Sequence, residues 1–136
     1  MAASQHAEET REWLRLAASD LRMAELGLND APPVVGGALY HCQQAAEKAL
    51  KGFLVFRGIQ YPLTHNLGEL LGLCSLIEQS LEAEVLPAVK LTEFATLFRY
   101  PGELEQPTLE EAQGWLALAR GVYEDVRRRL PAEARD

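Results

Sequence analysis

The stretch YHCQQAAEKALK, Tyr40 to Lys51, decides the reading of this chain. Tyr40, Ala46, Ala49 and Leu50, with Phe53 and Leu54 beyond them, would cover most of the circumference of a helix. A plain core helix needs no more than that. Yet His41, Gln44, Lys48 and, a turn further on, Lys51 fall three, four and seven residues apart, along one slightly drifting strip. Since apolar residues take the remaining surface, the strip is expected to be only partly exposed. Glu47 and Lys51, acid first at i,i+4, are placed to form an ion pair.

Working outward, this helix is predicted over about Gly36 to Arg57, with Gly58 as its C-terminal cap. A preceding helix is predicted over about Glu8 to Leu28. Its stripe is Leu14, Ala17, Leu21, Ala24 and Leu28, with Arg11, Arg15, Asp20 and Glu25 off it, and Pro32 and Pro33 follow its end. Asn66 with Glu69 has the form of a capping box for a third helix, whose buried side is Leu67, Leu70, Leu71, Cys74 and Ile77; Thr64 is the rival cap. A fourth is predicted over about Ala83 to Phe98, with Pro87 tolerable only in its first turn. Thr108 and Glu111 form another capping box, opening a stripe from Leu109 through Ala112, Trp115, Leu116, Ala119, Val122, Tyr123 and Val126 to Leu130. Arg127, Arg128 and Arg129 close that helix, where positive charge opposes the macrodipole.

No stretch alternates at period two, so the fold class is all-α. Short connections favour antiparallel neighbours, giving an up-and-down bundle of about five helices. The 136 residues fit a single domain, and such a length buries roughly two-thirds of its unfolded surface. Met1 to Ala7 reads as a flexible end.

The net charge of −7 argues against a protein whose main task is wrapping duplex nucleic acid, which needs many cations to neutralise phosphates. A local basic site is compatible with it. Cys42 and Cys74 stand in no metal-type spacing, and no apolar run is long enough for a signal peptide or membrane span. The expectation is two buried thiols in a cytoplasmic protein without metal or cofactor.

Three readings of the polar strip are open. It can satisfy hydrogen bonds at a helix contact, with Glu47 and Lys51 a surface pair. It can line a groove for a phosphate or a base, lysine supplying charge, amides reading donor and acceptor edges, and histidine moving a proton. It can also be a dimer seam, because Ala45, Ala46 and Ala49 permit close helix approach. His65, at the start of the third helix, and Arg99, at the end of the fourth, complete the candidate phosphate or nucleotide site of His41, Gln44, Lys48, Lys51, His65 and Arg99.

Taken in order, YHCQQAAEKALKGFL, THNLGELL and FRYPGE resemble the HEPN family, the nucleotide-binding domain of higher eukaryotes and prokaryotes, over nearly the whole chain. The resemblance implies a four-to-five-helix bundle, a homodimer, and a separate minimal nucleotidyltransferase as partner. Many members are toxins that cut RNA without a metal, using an arginine followed after four to six residues by a histidine. Here Arg99 fits the arginine, but RYPGELEQP holds no histidine, and no histidine follows His65. The expectation is therefore a non-catalytic protein binding a nucleotide or RNA fragment in a toxin–antitoxin-like pair. The alternatives are a metal-independent ribonuclease with a rearranged His/Arg site and a structural dimeric adaptor.

Overall fold

The computed structural model describes residues 3–96 and 106–135. Helix α1 spans Ala3–Asn29, α2 Val35–Phe56, α3 Leu67–Ile77, α4 Ser80–Val85, α5 Leu109–Arg128 and α6 Ala132–Arg135, with a 3₁₀ segment, Leu86–Ala95, after α4. Among the described residues there is no strand, and the chain is an all-α bundle.

Helix α2 is central because its sequence is apolar nearly all round. Leu39, Cys42, Ala45, Ala46, Ala49, Leu50, Phe53 and Leu54 have no exposed surface. Emptying the Phe53 site by alanine would cost about 3–5 kcal/mol. Leu14, Ala17, Leu21, Ala24 and Leu28 of α1 close one side of α2, and Ala112, Leu116, Ala119, Val122 and Val126 of α5 belong to the same core. Gly52 lets α1 approach closely, since a Cβ there would stand 3.1 Å from the Cβ of Trp13. At that contact the buried Thr10 hydroxyl donates to the Gly52 carbonyl at 3.1 Å.

The helix ends follow from local chemistry. Gly58 takes φ of 71°, and its N–H reaches the Val55 carbonyl while Ile59 N–H reaches Leu54. That pair of bonds satisfies the last carbonyls of α2 in a Schellman arrangement. Asn66 caps α3 by accepting from Glu69 N–H at 3.0 Å, and the rival Thr64 hydroxyl accepts from Asn66 N–H at 3.1 Å. The two caps thus act in series. Both halves of the Thr108–Glu111 box are made, at 2.9 and 3.1 Å. Arg128 and Arg129 pair with Glu84, and Arg129 also donates to Ser80, so the end of α5 is fastened to α4.

Two predicted elements change and one is added. Helix α1 begins at Ala3 rather than near Glu8, with Ala7 buried, so the flexible end expected at residues 1–7 is helical from residue 3 onward. The predicted fourth helix is instead a short α4 and the 3₁₀ segment, because Pro87 lacks the N–H that an uninterrupted α-helix would use there. Its expected end at Phe98 lies outside the described residues. The added α6 is docked on α1 by an Arg11 bond to the Glu133 carbonyl.

Candidate functional site

Within α2 from Ala38 to Val55, only Tyr40, His41, Gln44 and Lys48 are not buried. The last three stand at i, i+3 and i+7 and form a half-exposed window in an otherwise sealed helix. These three residues of the strip are partly exposed, as their surroundings predicted, whereas its fourth, Lys51, is buried.

Four of the candidate side chains are held by carboxylates. Asp20 on α1 bridges two of them, taking His41 Nδ1 on Oδ1 and Lys48 Nζ on Oδ2, both at 2.7 Å. Glu47 bridges two more, taking His65 Nδ1 on Oε1 at 2.7 Å and Lys51 Nζ on Oε2 at 2.9 Å. Gln43, fully buried, donates to Glu47 Oε1 and to the His65 carbonyl, each at 3.0 Å. Gln44 donates to Gln43 Oε1 at 2.8 Å. Five of the six candidates therefore fall into two clusters on neighbouring faces of α2.

Lys51 does not reach the window. The strip drifts as it climbs α2, and by this turn the side chain lies against Tyr61, with its Nζ 5.4 Å from that ring's centre. The Tyr61 ring in turn meets Trp13 edge-on at 5.4 Å. Lys51 is 8% exposed and Glu47 5%, so the expected ion pair forms but is buried rather than a surface pair. Arg99 lies outside the described residues.

Asp20 and Glu47 change the electrostatics of the site. Each described cation has a carboxylate against it, so the cluster is amphoteric where an electropositive hollow was expected. Burial pushes the Glu47 carboxyl up, but hydrogen bonds from Lys51, His65 and Gln43 outweigh it and hold the group below the ordinary carboxylate range. The sequence held a signal for Asp20, which stands three residues after Ala17 and four before Ala24, both on the buried stripe of α1. An acid in that register cannot face away from α2.

Chemically, the two clusters present imidazoles whose position is set from behind, as when a carboxylate orients a histidine for proton transfer or ligand contact. Cys42 and Cys74 take no part, since burial pushes both thiols up to about 12. Among the described residues no group of three or more His, Cys, Asp or Glu is arranged to hold a metal ion. No helix among them is long and apolar enough to cross a membrane.

A helical bundle with a polar window on its central helix defines a class of small all-α domain. The profile of the HEPN domain family matches residues 10–129, and the chain belongs to that family. No curated protein and no solved structure matches it.

Proposed function

We propose that this HEPN protein binds a nucleotide or RNA fragment at the window of His41, Gln44 and Lys48, with His65 at the edge and no catalysis of its own. One observation carries the reading: a polar, half-exposed window interrupts a buried helix, and buried carboxylates already fix its side chains. Side chains ordered in advance lose little freedom on binding, which favours affinity. A structural helix contact has no need of the exposure. Arg99 is the sequence's further phosphate candidate. The family resemblance adds a homodimer acting with a separate minimal nucleotidyltransferase in a toxin–antitoxin-like pair. Calorimetry with nucleoside triphosphates tests the binding, with and without such a partner. Wild type should release heat and Lys48→Ala should bind about tenfold more weakly, a loss of about 1.4 kcal/mol. No heat from wild type under either condition removes the reading.

The carboxylate behind each imidazole favours a second reading, a metal-independent ribonuclease with a rearranged site. In that chemistry the outer nitrogen of His41 or His65 takes the 2′-hydroxyl proton, O2′ attacks phosphorus, and the bond to O5′ breaks as water gives O5′ a proton, leaving a cyclic phosphate and a 5′-hydroxyl. RNA incubated in chelator decides between them. Cleavage lost in His41→Ala or His65→Ala supports the enzyme, and intact RNA with wild type removes it.

A further inference from the structure

The two buried carboxylates dictate the direction of the hydrogen bonds around them. A carboxylate accepts only, so the His41 nitrogen facing Asp20 and the His65 nitrogen facing Glu47 are the ones that carry hydrogen. The other nitrogen, Nε2, of each neutral ring is then an acceptor. Gln43 is fixed by the same logic. Its amide nitrogen faces two acceptors, Glu47 Oε1 and the His65 carbonyl, and this consumes both of its hydrogens. Its oxygen must therefore accept, and what it accepts is a hydrogen from Gln44 Nε2. Gln44 is left with Oε1 as a committed acceptor, and nothing donates to it among the described residues.

The polarity is thus transmitted outward from Glu47 through two amides to the half-exposed surface. Three acceptors result: His41 Nε2, Gln44 Oε1 and His65 Nε2. Lys48, with two N–H groups beyond the one given to Asp20, and the second Gln44 N–H are the donors beside them. Phosphate oxygens are acceptors, so on this surface only the N–H groups of Lys48 and Gln44 can meet them.

Resting on the binding reading above, we infer that the window recognises the nucleoside part of its ligand, through base N–H or ribose O–H donors, and that Gln44 Oε1 is the specificity-determining acceptor. Phosphate is left to Lys48. A site built to accept hydrogen bonds discriminates against a ligand that lacks the donors, because the acceptors that the ligand covers would lose water and go unpaired.

The test is calorimetry with AMP, adenosine and inorganic phosphate. Adenosine should bind within about tenfold of AMP, and phosphate alone should be at least about a hundredfold weaker than AMP. Two masked nucleosides, N6,N6-dimethyladenosine and 2′,3′-O-isopropylidene adenosine, each remove one set of donors. At least one should lose about tenfold or more relative to adenosine, and Gln44→Leu, checked for folding by circular dichroism, should abolish that discrimination. Binding of AMP and phosphate with none of adenosine overturns this inference alone. So does equal binding of adenosine and both masked forms. Silence from AMP and adenosine alike overturns it together with the reading beneath it.

Discussion

Asp20 and Glu47 each hold one imidazole and one lysine, but they do so in different surroundings. Around Asp20 both partners stay in partial contact with water, His41 at 28% and Lys48 at 22%. Around Glu47 the partners divide: Lys51 is sealed beneath Tyr61, while His65 is 67% exposed. The first cluster can exchange its contacts for those of a ligand at modest cost. The second is an anchor, because a sealed ammonium group has no alternative to its carboxylate. Under the proposed function, the same residue types serve recognition on one face of α2 and cohesion on the next.

The sharpest way to break this contrast is Glu47→Ala, which leaves the Lys51 charge buried and unpaired. It should cost about 3–5 kcal/mol in urea denaturation, and Glu47→Leu with Lys51→Met should recover much of that. A cost below about 1 kcal/mol for the single variant would mean that the cluster is not sealed in solution. Asp20→Ala should cost about 1–2 kcal/mol, since water reaches what it uncovers. It should also weaken nucleotide binding by releasing His41 and Lys48, whereas Glu47→Ala would act on binding through the fold and through the orientation of Gln43 and Gln44.

The acid limb sharpens the comparison further. The fold holds Glu47 below its ordinary value, so its contribution is fully present above about pH 4.3 and is lost as pH falls through the lower folded value. Below about pH 4 the wild type should lose stability more steeply than Glu47→Gln, measured by urea midpoints at stepped pH. Parallel curves would remove Glu47 as the source. The smallest effect is expected for His65→Ala, under about 1 kcal/mol, because its ring already lies mostly in water.

Much of this architecture was legible in one sequence. The stripe of α5, the Thr108–Glu111 box, the Gly58 cap and the Asn66 cap each depend on residues within one or two turns, and local chemistry decides them. The split at Pro87 was less so, because a proline near a helix start and a proline dividing two segments look alike until neighbours pack. At the site, His41, Gln44, Lys48, Lys51 and His65 were marked by being out of place on apolar elements. What set their roles was hidden. Asp20 stands on another helix, nothing in the spacing of the strip singles out Gln43, and only tertiary contact shows which carboxylate each cation meets.

The two cysteines give the molecule a built-in clock. Cys42 on α2 and Cys74 on α3 have no exposed surface and are free of any disulfide, so an alkylating reagent can reach either only when its helix parts from the bundle. Labelling rates at the two sulfurs, followed by mass spectrometry, would therefore time the opening of the central helix against that of α3 without a single introduced probe.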